Sequence, residues 1–235
     1  MKEELLNDLK ALLMKEGADL IGFCSLEEIP FIKDKGLDLG ISIGISMSAS
    51  SIKGLNEGPT MEYYNEYESI NAKLKSLREL SINYLEEHGY HGTSVDTFDA
   101  AAYVTELPHK TVGVMSGLGW IGKSTVFVTE EYGSAVLLTS LVSDFKYEGS
   151  RNKEVKVLCG QCTKCVENCP GNAIKGVNWK PGVTREELLD MSKCRQTSRR
   201  IAKEKIGIEN TFCGRCIMVC PYTVRYIARS GAQNK

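Results

Sequence analysis

Eight of the nine cysteines fall between Cys159 and Cys220, in the last third of a 235-residue chain, and only Cys24 stands apart. The first run is Cys159-x2-Cys162-x2-Cys165-x3-Cys169-Pro170 and the second is Cys213-x2-Cys216-x3-Cys220-Pro221. The second run lacks a cysteine three residues before Cys213. Cys194, 19 residues earlier, fills that place if the intervening segment loops back. Disulfides are not expected. The opening MKEELLNDLKALLMKEG has the pattern of an amphipathic helix, with Leu5, Leu6, Leu9, Leu12 and Leu13 on one face, not that of a secretory signal. The expected compartment is the cytoplasm, which keeps thiols reduced.

The spacing has a chemical meaning. Two intervening residues let a tight loop wrap three thiolates around one face of a cubane, and the longer step carries the fourth toward a neighbouring cluster. C-x2-C-x2-C-x3-C-P is the bacterial ferredoxin pattern for paired [4Fe–4S] clusters. Pseudo-symmetry then assigns Cys159, Cys162, Cys165 and Cys220 to cluster one, and Cys213, Cys216, Cys194 and Cys169 to cluster two. Zinc is the competing reading, since C-x2-C pairs also bind it, but zinc sites rarely use this run. Cys24 follows an apolar strand pattern and reads as a small buried hydrophobe.

The rest of the chain reads as mixed α and β structure. Ala18–Cys24, Gly40–Met47, Thr93–Phe98, Thr125–Thr129 and Ala135–Val142 have strand character. Pro59 opens a long helical pattern through Tyr63, Tyr67, Ile70, Leu74, Leu77 and Leu85, and Pro108 suits the first turn of another helix. Glu148–Glu154 is polar and turn-rich, so the expected division is a core over residues 1–148 and a cysteine-rich domain over 149–235. That domain holds few apolar residues for its length, and its core is expected to be the clusters themselves. No stretch has the roughly 18 apolar residues that span a bilayer. The net charge of −1 gives no global attraction to nucleic acid, which is not an expected partner.

Residues 117–124, GLGWIGKS, satisfy both G-x-G-x-x-G and G-x-x-x-x-G-K-S. Each motif needs a helix directly after the loop to hold phosphates. The following TVFVTEEYGSAVLL is β-branched and strand-like, so nucleotide binding is not expected. The glycines allow close backbone approach and Trp120 offers a flat apolar face; a tight turn packed on the core is the plainer alternative.

GLGWIGKS, then Tyr132-Gly133-Ser134, then a hydrophobic strand, then the two-cluster segment, resembles the epoxyqueuosine reductase family. The N-terminal helix leading into ADLIGF resembles that family's opening. Its wider relatives are cobalamin-dependent reductive dehalogenases. The resemblance implies an α+β protein, with a nitroreductase-like α/β core followed by a two-[4Fe–4S] ferredoxin-like domain. It also implies that Gly117, Leu118, Gly119, Trp120, Ile121, Gly122, Lys123 and Ser124, with the turn containing Gly133 and Ser134, help enclose cobalamin. No D-x-H-x-x-G motif occurs, so a histidine ligand to cobalt is not indicated.

This chain departs from the family at two points. Thr105 stands where the family has a proton-donating Asp, and the sequence ends soon after Cys220, without the helical repeats used on tRNA. Reduction of tRNA itself is therefore not expected. The expected function is an iron–sulfur reductase, in which an external low-potential donor (ferredoxin or flavodoxin) feeds two clusters, then cobalamin, then a small-molecule substrate. Glu106, His109 and Tyr103 are the candidate proton donors, with Tyr63, Tyr64 and Tyr67 as further candidates; for each, a purely structural role is the plainer reading. The alternatives are an electron carrier without corrinoid, or a reductase of corrinoid held by a partner.

Overall fold

The computed structural model describes residues 2–27, 29, 32, 35–94, 98–99, 104–105, 108–149 and 156–233. The chain divides into two interleaved compact units. One comprises Met1–Ile45, Asn71–Leu118 and Leu137–Val155, and the other Ser46–Ile70, Gly119–Val136 and Lys156–Lys235. Compactness thus divides the chain differently from the composition boundary near residue 148, because the cysteine-rich segment shares its unit with two stretches from far upstream.

In the first unit, α1 (Lys2–Lys15) buries Leu6, Leu9 and Leu13 at helical spacing. Glu3 and Glu4 in its first turn and Lys15 in its last complement the helix dipole. β1 (Leu20–Ser25) pairs antiparallel with β2 (Leu39–Ser46), with Leu20 opposite Gly44 and Ser25 opposite Leu39. The central sheet has the order β1-β2-β8-β3, where β3 is Gly92–Thr93 and β8 is Val136–Ser143. Ile41 and Ile43 are sealed from solvent. Gly40, just before them, is required, because a Cβ there would stand 2.7 Å from Leu26 Cδ2 and 2.9 Å from Cys24 Sγ. Cys24 is buried with Leu26, Ile32, Leu37, Val112 and Val142, as expected for a small hydrophobe.

Two of the expected strands come out differently. Thr93 ends β3, whereas Phe98 opens β4 (Phe98–Asp99), which pairs with β5 (Val104–Thr105) in a separate sheet; residues 95–97 lie outside the described residues. In place of Thr125–Thr129 only Phe127–Val128 (β7) is extended, because Thr125 adopts φ +64° in a turn whose N–H donates to the Gly122 carbonyl. The helix expected at Pro108 is present as His109–Met115 (α4), which Pro108 caps.

The long helix α3 (Met61–Glu87) begins two residues after Pro59, with the Thr60 hydroxyl accepting the Tyr63 N–H at 3.1 Å. It counts with the second unit up to Ile70 and with the first unit thereafter. In the second unit, α2 (Ala49–Gly54) is capped by Ser48, and β6 (Trp120–Ile121) forms a hairpin with β7. The cysteine-rich part adds the short helices α5 (Lys164–Glu167), α6 (Arg185–Leu188) and α8 (Arg215–Met218), and the longer α7 (Met191–Ile206) and α9 (Pro221–Gln233). Ala173, Ile174, Leu188 and Leu189 form its small apolar core, with Cys165, Cys169, Cys194 and Cys216 packed against it. Among the described residues no helix is long and apolar enough to cross a membrane.

Candidate metal centre

The eight clustered cysteines line two cavities. Cys159, Cys162, Cys165 and Cys220 surround one, together with Trp120, Gly122, Lys123 and Ser124. Cys169, Cys194 and Cys213 surround the other, with Arg215. Cys216 and Ser124 line both. Local structure explains how distant cysteines meet. Asp190 caps α7 by accepting the Lys193 N–H at 3.0 Å, which sets Cys194 in that helix's first turn. The helix ends at Gly207, φ +70°, and residues 208–212 return the chain to Cys213. The 19-residue gap is therefore mostly helix.

Electrostatics gives the same grouping. Burial first, and then the neighbouring Cys159, Cys220 and Cys162, push the Cys165 thiol up to about 11. Cys194 is raised by burial and then by Cys169 and Cys213. Cys216 is raised by burial first, then by Cys213, Cys194, Cys165 and Cys169. Burial and neighbouring sulfurs both oppose ionisation of these thiols, and a bound cation reverses that balance. Five cysteines line the first cavity and four the second, Cys216 counting in both, which supplies the four thiolates that each [4Fe–4S] cluster takes.

The upstream stretches hold this cradle from outside. Arg215 donates to the Asn56 carbonyl at 2.7 Å and to its side-chain oxygen at 2.9 Å. Its other nitrogen reaches Asn168 Oδ1 at 3.4 Å. Lys123, buried, donates from Nζ to the Cys162 carbonyl at 3.1 Å. Tyr226 donates to the Met47 carbonyl at 2.8 Å, and the Ser134 N–H donates to Thr223 Oγ1 at 2.8 Å. Sequence reasoning missed Arg215, Asn56 and Thr223. Arg215 could have been noticed from its place between Cys213 and Cys216; nothing local marks Asn56.

The glycine-rich loop divides between the units at Leu118 and Gly119. Gly117, at φ +73°, closes α4, and the Leu118 N–H donates to the Gly113 carbonyl at 3.0 Å. A Cβ on Gly119 would lie 2.1 Å from the Val128 carbonyl oxygen, and one on Gly133 2.2 Å from the Thr223 nitrogen. Protein backbone thus fills the space these glycines leave. A hairpin strand follows the loop rather than a helix, in keeping with the rejected phosphate motifs. Trp120 is buried edge-on against Tyr222, with ring centroids 4.8 Å apart. Trp120 Nε1 and Ser134 Oγ are buried and make no hydrogen bond among the described residues.

Of the candidate proton donors, Glu106 and Tyr103 lie outside the described residues. His109 is half-buried at the start of α4, its Nδ1 2.5 Å from Ser140 Oγ. Tyr63, Tyr64 and Tyr67 pack edge-on around Phe212, with centroids 6.1, 5.2 and 5.0 Å away. Burial and the nearby Cys216, Tyr67 and Cys213 raise the Tyr63 phenol.

Residues 158–223 match the family model of the 4Fe-4S double cluster binding domain, which supports two [4Fe–4S] clusters. The epoxyqueuosine reductase of Bacillus cereus is 33% identical over 123 residues, covering 49% of this chain and 30% of that protein. The Bacillus subtilis enzyme is 33% identical over 119 residues, covering 49% and 29%. The matched part therefore spans about a third of the length of these relatives. An epoxyqueuosine reductase solved with a tRNA-Tyr stem loop superposes with a TM-score of 0.61 at 19% identity, covering 95% of this chain and 66% of that one. A reductive dehalogenase whose structure suggests a mechanism for B12-dependent dehalogenation superposes at 0.67 and 20% identity, covering 97% and 33%. Because one of these neighbours holds a tRNA stem loop, the near-neutral charge of the present chain does not dismiss nucleic acid as a partner. The chain is similar in sequence to epoxyqueuosine reductases over about half its length and shares its fold with them and with reductive dehalogenases.

Proposed function

We propose that the chain is an iron–sulfur reductase. Cys159, Cys162, Cys165 and Cys220 bind one [4Fe–4S] cluster, and Cys169, Cys194, Cys213 and Cys216 bind the second, in the segment 149–235. The observation that carries this reading is the gathering of the cysteines around two cavities that share Cys216 and Ser124. Two centres with common lining residues allow an electron to pass between them over a short distance. The buried Lys123 ammonium beside Cys162 offsets negative charge at the first site, and hydrogen bonds and nearby charge set the potential of such clusters.

The finer proposal is that the electrons go on to cobalamin, which reduces a small-molecule substrate. It rests on the order of motifs shared with epoxyqueuosine reductases and on the fold shared with the B12-dependent dehalogenase. Within the set Gly117–Ser124 and Gly133–Ser134, the Trp120 indole N–H and the Ser134 hydroxyl are the orphaned polar groups a corrinoid could satisfy. Bound cobalamin would supply the reducible cobalt for the organic step. Protons would come from Glu106, His109 or Tyr103, of which His109 is held in place by Ser140.

A second reading, an electron carrier without corrinoid, is favoured by one observation: protein atoms already occupy the space beside Gly119 and Gly133. Anaerobic purification, iron analysis and ultraviolet–visible spectroscopy after adding cobalamin separate the two. The reductase reading expects about eight irons per chain and a stoichiometric corrinoid band. Iron without corrinoid uptake would sink the cobalamin step and leave the carrier.

A further inference from the structure

We propose that Arg215 sets the reduction potential of the second cluster. Its guanidinium, held by Asn56 and Asn168, keeps a positive charge at the wall of that site and makes the cluster there easier to reduce. The proposal rests on the iron–sulfur reading above and adds which side chain tunes one centre apart from the other.

The backbone fixes where this side chain starts. Gly214, between Cys213 and Arg215, adopts φ +71°, and a Cβ there would lie 2.6 Å from Leu55 Cδ1. The Cys213–Arg215 turn is thus pressed against the 3₁₀ turn Leu55–Glu57. Arg215 then opens α8 and lines the cavity of Cys169, Cys194, Cys213 and Cys216. One guanidinium nitrogen donates to both oxygens of Asn56, and the other to Asn168 Oδ1. Both amides are turned to receive it. Asn56 Nδ2 donates to Glu57 Oε1 at 3.4 Å and Asn168 Nδ2 to the Lys164 carbonyl at 2.9 Å, which leaves each Oδ1 to Arg215. Asn168 precedes Cys169, so the guanidinium ties the first cysteine run to the second.

Neutral partners distinguish Arg215 from other cations of the same segment. Lys193 is opposed by Asp190 at 3.5 Å, Arg200 by Glu204 at 2.9 Å, and Lys203 by Glu209. The carboxylates next in sequence to the partners of Arg215 are Glu57 and Glu167. Among the described residues neither pairs with it, Glu57 accepting from Asn56 and Glu167 from the Thr163 hydroxyl at 2.5 Å. Amide oxygens satisfy the guanidinium N–H groups without cancelling the charge. The effect reaches the nearest sulfur. Burial raises the Cys213 thiol, and the two influences that oppose this rise both come from Arg215, one from its backbone N–H and one from its charge. Reduction by a low-potential donor adds one electron, and so one negative charge, to a cluster and its thiolates. A fixed cation beside them favours that state, and N–H groups directed at the sulfurs act the same way. Asn56 and Asn168 are positioning residues, acting through the guanidinium.

The test is a potentiometric titration of the anaerobically purified full-length protein, followed by electron paramagnetic resonance, with iron counted in each sample. The signal that disappears in Cys194→Ser identifies the second cluster. Arg215→Gln removes the charge. Asn56→Asp leaves the arginine and its hydrogen bonds in place but sets a carboxylate against it. We expect Arg215→Gln to lower the equilibrium constant for reducing the second cluster about tenfold, which is about 59 mV for one electron. Asn56→Asp should shift it in the same direction, and Arg215→Lys should lie closer to the native chain than Arg215→Gln does. The first cluster and the iron content should stay as in the native chain. A side chain that served only as a strut would leave the potential of fully loaded Asn56→Asp unmoved. An unchanged second potential in Arg215→Gln or Asn56→Asp, with full iron, would therefore overturn the proposal, as would equal shifts in both clusters. If Arg215→Gln loses iron, Asn56→Asp decides. Absence of iron from the native chain would instead overturn the cluster reading on which the proposal stands.

Discussion

In the unit that carries the sheet, Leu9, Leu13, Ile41, Ile43 and Leu141 are sealed from solvent, whereas all eight clustered cysteines of the other unit remain partly exposed. The first has a side-chain core of the ordinary kind, each buried aliphatic contributing about 1.5–3 kcal/mol. The second buries Ile52, Leu55, Trp120, Val128 and Phe212 as well, but cysteines make up much of the surroundings of its Ala173, Ile174, Leu188 and Leu189 cluster. One unit is organised around hydrocarbon alone, the other around hydrocarbon and clustered thiols. The difference predicts that the two halves answer differently to the same perturbations.

Iron removal should have the largest effect. Chelation under anaerobic conditions should abolish hydrogen-exchange protection in α7 and α9 while β2 and β8 keep theirs, because metal binding and folding are one event in such segments. Uniform loss across both units, read by mass spectrometry, would erase the contrast. Next comes Cys194→Ser, which should lower iron from about eight to about four per chain and leave one cluster's electron paramagnetic resonance signal intact. Retention of all the iron would show that Cys194 is not a ligand. In the other unit, Leu13→Ala should cost about 2–5 kcal/mol in urea unfolding without changing iron content.

The smallest effect concerns Cys24. Burial pushes its thiol from 9.0 up to about 11, against hydrogen bonds from Ser116 and Gly40 that lower it. A raised folded value favours the protonated form, so this contribution to stability is whole below pH 9 and is lost as pH rises toward 11. Its size is about 2–3 kcal/mol. Cys24→Ala should flatten that part of the stability–pH curve, whereas iron content should not respond.

Legibility followed the range of the interactions. The leucines of α1 and the isoleucines of β2 were readable because burial repeats with the period of the element. The cysteine runs were readable because cluster ligation demands fixed short spacings. Cys194 was reachable only by symmetry between the runs, and α7 is the device that brings it back. Thr125 was misread as strand because its left-handed backbone belongs to a turn that β propensity does not register. The glycine-rich loop allows two readings from sequence, a ligand cradle and a tight turn on the core, and only the fold shows that Gly119 and Gly133 face Val128 and Thr223. Arg215 stood out only by its place between Cys213 and Cys216; its partners Asn56 and Asn168, 159 and 47 positions away, carry no local mark.

The sequence by itself determined the metal chemistry, the mixed α and β character and the burial of Cys24, since each depends on residue type and local spacing. Tertiary structure alone decided which upstream stretches complete the cysteine cradle and what fills the space beside the glycines. Those outcomes depend on side chains distant in the chain meeting in space, and no local pattern encodes such meetings.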